Sequence, residues 1–387
     1  MTLVFAAQFI FWASVGLIFY VYFGYPVMVY IVSRLLPKSV KRAAIEPSVS
    51  IIITAYNEER DIREKLENTL LIDYPSEKLE ILVASDCSSD GTDTIVREFA
   101  NKNVKLLRQP ERHGKTAAQN MAVENVSGEI ILFSDATSMY EPSVLREMLP
   151  SFADEKIGCV AGKLVYVDHS SSTVGQAAKS YWSYETLLKV SESKACSLIG
   201  VSGCIYAVRK SAYQPMYPEA CSDFLIATVV YKQGMRTIYE PNAVCTEETN
   251  QHSKKEMRMR VRVITQTFTD LWRNREMLNP FQSGFFAIEL ISHKLLRYSV
   301  PLFLIMVFVS SGFLSFASLL FFAVFAAQVA FYLMAFAAWM LERNGVRTGI
   351  LSIPLYFMLT NIASIAGFFQ FLRGERYASW EPIRDAS

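Results

Sequence analysis

Residues 47–59 read PSVSIIITAYNEE, and the fold turns on this run. Ser48 to Thr54 is apolar and β-branched without alternation, the pattern of a strand covered on both faces. It ends in a polar turn, Ala55-Tyr56-Asn57-Glu58, where Asn57 is placed to cap a charged helix over about Glu59 to Leu71. The alternation then repeats. Strands are predicted over Leu79 to Ala84, Val104 to Leu107 and Glu129 to Ser134, and helices over Thr92 to Ala100, Lys115 to Asn125 and Pro142 to Phe152. Such βα units predict a mainly parallel sheet with helices on both faces. Ligands in sheets of this kind bind beyond the C-terminal strand ends, so the residues just after each strand carry the chemistry.

Those ends hold Tyr56 and Glu58, then Asp86 within ASDCSSDGT (84–92), then Asp135 within FSDATS (133–138). Carboxylates converging at strand ends suit a hard divalent cation such as Mg²⁺ or Mn²⁺, which bridges to phosphates. Ser88 and Asp90 read equally well as caps of the next helix. An acid such as Asp135, closing a buried strand, needs a partner for its charge. His113-Gly114-Lys115-Thr116 lacks the upstream glycine and strand of a P-loop. Lys115 at a helix start is nevertheless placed to meet a phosphate beside free backbone N–H groups.

Outside this region the composition changes. Met1 to Ser33, Tyr298 to Leu341 and Thr348 to Leu372 contain no charged residue, and each is long enough for one or two spans of a bilayer. The predicted divisions are a transmembrane helix in 1–36, a cytoplasmic catalytic domain in 37–282, an interfacial helix in 283–299, transmembrane segments in 300–372 and a tail in 373–387. Phe285 to Arg297 is expected to lie in the interface with Glu289, His293, Lys294 and Arg297 on its wet side. Lys38, Lys41 and Arg42 follow the first span and place the middle domain on the cytoplasmic side of an inner (plasma) membrane. The C-terminal charges do not close the topology, because Arg343 and Arg347 compete with Arg373, Arg376 and Arg384 for that side. A re-entrant or interfacial segment over 348–372 would resolve this. Six cysteines without a CxxC pair argue against zinc, and a net charge of +1 gives no ground for a nucleic-acid partner.

The runs PSVSIIITAYNEE, ASDCSSDGT, HGKTAAQN (113–120) and FSDATS together resemble glycosyltransferase family 2, in the membrane-bound branch with cellulose, chitin and hyaluronan synthases. The resemblance covers about Pro47 to Arg262. It implies an α/β nucleotide-diphospho-sugar transferase (GT-A-like) domain beside about four transmembrane or membrane-associated helices. It also implies inverting transfer from a nucleotide-diphosphate-sugar donor, with a UDP-sugar as the family's expectation, to a polysaccharide or lipid-linked acceptor, next to membrane lipids. By the same resemblance Tyr56, Glu58, Asp86, Lys115 and Arg262 contact the donor, and Ser202 and Gly203 belong to an acceptor loop. Asp135 is then the first aspartate of a DxD metal motif whose second position is Thr137. Asp223, in Cys221-Ser222-Asp223-Phe224-Leu225, aligns with the general base, although a helix N-cap suits it as well.

Two family features are altered or slight. The synthases' QxxRW is reduced to Arg262 in Met259-Arg260-Val261-Arg262-Val263, which favours single transfer over chain extension. Lys254, Arg258 and Arg262 share one helical face. Trp380-Glu381-Pro382 with Arg384 resembles a short motif after the last span, and Tyr181-Trp182-Ser183-Tyr184 suits stacking on sugar rings or plain packing. Competing readings are a single-transfer glycolipid enzyme and a non-catalytic sugar-nucleotide-binding subunit.

Overall fold

The structure, a computed structural model, describes residues 2–167, 173–248, 253–344, 346 and 348–379, with backbone alone for 173–183, 248 and 253–256. The tail motif at Trp380 to Arg384, Arg347, the aromatic run Tyr181 to Ser183 and the side chain of Lys254 lie outside the described residues.

Strand β1 (Val49–Ala55) is buried along its whole length. Its side chains alternate between two cores, as the pleat requires. Ile51 and Ile53 join Val83 and Leu132 on one face, while Ile52 joins Leu82, Ile131 and Phe133 on the other. β1 pairs in parallel with β2 (Leu79–Ser85) and with β4 (Ile130–Asp135), and β3 (Val104–Arg108) adds in parallel beyond β2. The whole eight-stranded order is β3-β2-β1-β4-β7-β6-β8-β5. The sheet is mainly parallel, as expected, and turns antiparallel at two places. The short β7 (Tyr206–Arg209) runs antiparallel between β4 and β6 (Ile157–Val167), and β5 (Met139–Tyr140) runs antiparallel to β8 (Arg236–Glu248). β7 climbs back from the loop at 200–205, so it meets β4 head to tail. Register places Ala55 opposite Ser85 and Thr54 opposite Asp135, so the residues leaving β1, β2 and β4 emerge at one edge.

The helices around this sheet are α2 (Ile62–Thr69), α3 (Thr92–Glu98), α4 (Lys115–Glu124), α5 (Val144–Met148), α6 (Thr173–Ala195), α7 (Ser222–Lys232) and α8 (Ser253–Arg273). Four further helices are long and apolar enough to cross a membrane: α1 (Thr2–Leu35), α9 (Phe285–Leu314), α10 (Leu319–Arg343) and α11 (Gly349–Leu372). α1 packs on α9 and α10 through Phe11, Val307, Leu314 and Phe321.

The predicted interfacial helix is continuous with the following span, through a π-helical turn at Ile291–Leu296. Its expected wet side is inside the protein. Glu289 is fully buried and His293 lies between two glutamates of α6, with Nδ1 2.6 Å from Glu192 and Nε2 3.4 Å from Glu185. Arg297 pairs with Glu185 at 2.5 Å, and Tyr25 of α1 donates to Glu192 at 2.5 Å. The cause is a partner helix that supplies acids, which turns a polar stripe into an ion-paired seam.

α11 lies along α8. Thr265 Oγ1 donates to the Gly367 carbonyl at 3.2 Å, Phe268 contacts the rings of Phe368 and Phe371, and the Arg260 guanidinium reaches the Tyr356 hydroxyl at 2.5 Å. Gly367 makes this approach possible, since a Cβ there would stand 2.8 Å from Ile264 Cγ2 and 3.1 Å from the Val261 carbonyl. Gly367→Val is therefore expected to force the helices apart and cost about 1–3 kcal/mol. Thermal unfolding in detergent should show a lower midpoint than wild type, and an unchanged midpoint would contradict this seam.

Candidate functional site

The loops after β1 and β2 are laced together before any ligand is considered. The Asp86 amide donates to the Ala55 carbonyl at 2.9 Å, Asn57 Oδ1 accepts the Ser89 amide at 2.7 Å, and the Glu58 amide donates to Thr92 Oγ1 at 2.7 Å. Asn57 turns the chain in the left-handed region at φ 54°. Asp90 accepts from the Thr92 amide at 3.0 Å but stands one residue before the cap position, which Gly91 holds, so neither Asp90 nor Ser88 is the cap. Tyr56 lies under the Arg112 guanidinium, 3.7 Å from its ring centroid, which makes a flat charged wall at this edge.

Asp86 is fully buried. Its oxygens accept from Gln109 Nε2 at 3.1 Å, the His113 amide at 2.9 Å and the Gly114 amide at 3.0 Å. These N–H groups satisfy the buried carboxylate, and Arg112 Nε stands 4.0 Å from its Oδ2. As found, Asp86 clamps the loop that leads into α4. Gly114 has φ +94°, and a Cβ there would fall 1.8 Å from the Ala378 carbonyl, so the chain beyond α11 returns to touch this loop. Gln266 Nε2 holds that returning segment by donating to the Tyr377 carbonyl at 2.7 Å.

From Gly114 the chain enters α4, whose first residue, Lys115, forms an ion pair with Asp135 at the end of β4. Thr116 Oγ1 donates to the Ala220 carbonyl at 2.8 Å and so ties α4 to the loop before α7. Asp223 is the second residue of α7, and Cys221 holds the cap position, so the N-cap reading of Asp223 fails. Its Oδ1 accepts from Cys221 Sγ and from the Phe224 amide, each at 2.9 Å. Oδ2 accepts no hydrogen bond among the described residues. Gly203 lies between the charged groups: a Cβ there would stand 3.1 Å from Lys115 Nζ and 3.2 Å from Asp223 Oδ2. Asp135, Lys115, Gly203 and Asp223 thus meet in one cleft, although they span more than a hundred positions of sequence. Ser202, beside Gly203, accepts from Lys189 Nζ at 3.0 Å.

Arg262 faces the same cleft from α8. Burial lowers its pKa, and attraction to Cys221, Asp223 and Asp135 opposes that shift. Its Nε is buried without a partner among the described residues. Arg258, on the same helical stripe, is exposed.

Comparison with known proteins identifies a domain within the chain. The family described as "Glycosyl transferase family 2" matches residues 50–216. Residues 50–216 form a glycosyl transferase family 2 domain. Over 240 residues the chain is 27% identical to a probable glycosyltransferase of Bacillus subtilis, covering 59% of this chain and 57% of that one. A glycosyltransferase of the archaeon Haloferax volcanii is 33% identical over 151 residues, 38% of this chain and 49% of its own. The poly-beta-1,6-N-acetyl-D-glucosamine synthase of Staphylococcus aureus is 27% identical over 204 residues, 51% and 49% of the two chains. The chain therefore spans about half the length of the curated relatives it matches. The fold extends beyond the family 2 domain. A mannosyltransferase of Pyrobaculum calidifontis, solved with GDP-Man and Mn²⁺, superposes with a TM-score of 0.71 at 23% identity, over 95% of this chain and 99% of its own.

Around the family 2 domain's cleft stand three side chains that the sequence did not single out. Lys65 of α2 is fully buried behind Asp135, donates to the Ser138 carbonyl at 2.5 Å and lies 3.7 Å from the Tyr140 ring centroid; burial lowers its pKa to about 7. Glu247 of β8 accepts from Thr137 Oγ1 at 3.0 Å, and burial followed by repulsion from Asp135 raises its carboxyl to about 7. Asp270 of α8 anchors the loop before Asp223, accepting from the Tyr217 hydroxyl and, at 3.1 Å, from the Cys221 amide. No local motif marks any of the three; each gains its role by meeting a segment distant in sequence.

Burial raises the Asp270 carboxyl to about 8, opposed by its hydrogen bonds. The folded state holds this proton more tightly than the unfolded chain, whose aspartate titrates near ~3.9. Its contribution to stability is full below that value and is lost as pH rises towards 8. Asp270→Asn, which carries no titrating proton, should gain stability relative to wild type as pH rises from 5 to 8.5, on the order of 1 kcal/mol per pH unit. Thermal midpoints of both proteins across that range test this, and a constant difference refutes it.

Proposed function

We propose that this protein is an inverting glycosyltransferase. It moves a sugar from a nucleotide-diphosphate donor, a UDP-sugar in the first instance, to a polysaccharide or lipid-linked acceptor at the cytoplasmic face of the inner (plasma) membrane. The observation that carries this is the cleft at Gly203, with a carboxylate oxygen of Asp223 on one side and the Lys115–Asp135 pair on the other. Single in-line displacement needs a proton acceptor opposite the leaving group, and these two sides supply the two poles.

In this mechanism Tyr56, Glu58 and the loop clamped by Asp86 enclose the nucleoside. Asp223 Oδ2 takes the proton of the acceptor hydroxyl as the oxygen bonds to the anomeric carbon, a contribution of ~10²–10⁴-fold to the rate. Lys115 and Arg262 offset the negative charge that gathers on the departing diphosphate. Ser202 and Gly203 border the acceptor, where the missing Cβ of Gly203 leaves room for a sugar ring. Asp135 suits a hard divalent cation: it is a strand-end carboxylate that already draws a cationic group, the Lys115 ammonium, against one oxygen. Mg²⁺ or Mn²⁺ held there would neutralise diphosphate oxygens. Mn²⁺ accompanies GDP-Man in the Pyrobaculum calidifontis enzyme of the same fold, which supports this reading and adds GDP-mannose to the donors worth testing.

Asp223→Asn is expected to bind donor as wild type does and to release nucleoside diphosphate at least ~10²-fold more slowly. The assay is donor turnover in purified membranes with a panel of UDP-sugars and GDP-mannose, followed by product analysis. Equal, measurable turnover would remove Asp223 from the mechanism, whereas no turnover by wild type with any donor would favour the non-catalytic reading. With Arg262 alone left of the synthases' motif, we assign single addition, so a polymer ladder among the products would overturn that part.

The topology follows from the same contacts. Because the segment after α11 touches Gln266 and Gly114 of the catalytic domain, α9 and α10 form the one crossing pair and α11 stays on the catalytic side, against α8. That arrangement puts Arg343, Arg373 and Arg376 on the cytoplasmic side together with the domain. An impermeant thiol reagent should label Arg376→Cys from the side that labels the half-exposed native Cys87, and Phe316→Cys from the opposite side. Labelling of positions 376 and 316 from one side would refute it.

A further inference from the structure

β8 reaches the cleft by a long route. It pairs with β6 from Ile157↔Arg236 to Val167↔Glu248, with its register shifted between Ala161 and Lys163, and its last residues lie against β5, where Met139 opposes Thr246. This pairing brings Glu247 to the turn just after β4. There Thr137, two residues beyond Asp135, donates its hydroxyl to Glu247 Oε1 at 3.0 Å. Residue 137 is where a second acid would be expected beside Asp135, and the chain places a hydroxyl there. The acid that arrives comes from a strand more than a hundred positions away.

Two carboxylates that share a recess repel each other, and burial worsens the repulsion. The chain supplies two ammonium groups against them: Lys115 on Asp135, and the fully buried Lys65 behind. Oxygen ligands from two acids beside a diphosphate match the preference of small divalent cations, which take few protein carboxylates and complete their shell with phosphate and water.

We propose that Glu247 is the second carboxylate of the divalent-cation site, partnering Asp135, and that Thr137 positions Glu247 through its hydroxyl instead of ligating in the manner of an acid at that position. This deepens the transferase reading and rests on its assignment of Asp135 to the cation.

The experiment measures Mn²⁺ binding to the detergent-solubilised full chain in the presence of UDP, by electron paramagnetic resonance of free Mn²⁺, together with the rise in thermal midpoint on adding Mn²⁺ and UDP. Wild type should bind Mn²⁺ and gain midpoint. Glu247→Gln should bind at least ~10-fold more weakly and lose most of that gain, while its metal-free midpoint stays level or rises because one buried charge is gone. Thr137→Asp added to Glu247→Gln should restore binding, since it returns an acid to the same recess. A Glu247→Gln protein that binds Mn²⁺ as wild type does, while Asp135→Asn does not, overturns the role of Glu247 and leaves the transferase reading standing. A fall in the metal-free midpoint of Glu247→Gln marks a structural acid and also overturns it. Wild type that binds no Mn²⁺ with UDP overturns both this inference and the cation reading of Asp135.

Discussion

The ion pair between Lys115 and Asp135 is the join on which the site depends. Asp135 closes a strand that is otherwise fully buried, so its charge must be met nearby or removed. Lys115 meets it only because Gly114, at φ +94°, turns the chain so that α4 begins beside the end of β4. Gly114 in turn is fixed by the Asp86 carboxylate, which holds the amides of residues 113 and 114. The ends of β2 and β4 are thereby coupled through one glycine and one lysine. A lysine suits this place: its ammonium is a point charge on a flexible stem and can serve an acid, a phosphate or both in turn. A guanidinium, with its rigid fork, would commit to one geometry.

The first half of the domain was legible because its signals are local. β1, β2 and β4 announce themselves by short runs rich in Ile, Leu and Val that alternate with helical segments. Tyr56, Asp86 and Asp135 come with those strands. Asp223 was reached through the resemblance, and its position on the cleft side of the sheet is what the structure adds. Glu247, Lys65 and Asp270 were not legible for a different reason. Lys65 sits in a helix that reads as charged and solvated, and becomes a buried cation only because the turn at Ser138 closes over it. Glu247 lies in a strand of mixed composition, RTIYEPNAVCTEE, whose partner is an equally irregular strand some eighty positions earlier. No window of sequence contains that pairing.

The same limit explains the failed expectation for residues 285–297. Helical periodicity correctly grouped Glu289, His293 and Arg297 on one side. It says nothing of what faces that side. Glu185 and Glu192 of α6 face it, so a stripe that would wet an isolated helix becomes a buried seam between the catalytic domain and the membrane-directed helices. Polar groups placed at such a seam tolerate little sliding, because each displaced partner leaves a charge unpaired in a low-dielectric setting.

That rigidity bears on how membrane and catalytic parts act together. α8 carries Arg262 into the cleft and packs its next turn, Ile264 to Phe268, against α11. Gln266, on the turn between them, holds the segment that returns to Gly114. One helix thus carries Arg262 to the cleft, packs on the apolar helix beside it and holds, through Gln266, the segment that reaches the loop clamped by Asp86. A shift of α11 along α8 would move the Arg262 guanidinium and the Ala378 carbonyl at the same time. The family 2 domain cannot be treated as a soluble unit tethered to an anchor, since the loop clamped by Asp86 is touched by chain that follows the membrane-directed helices.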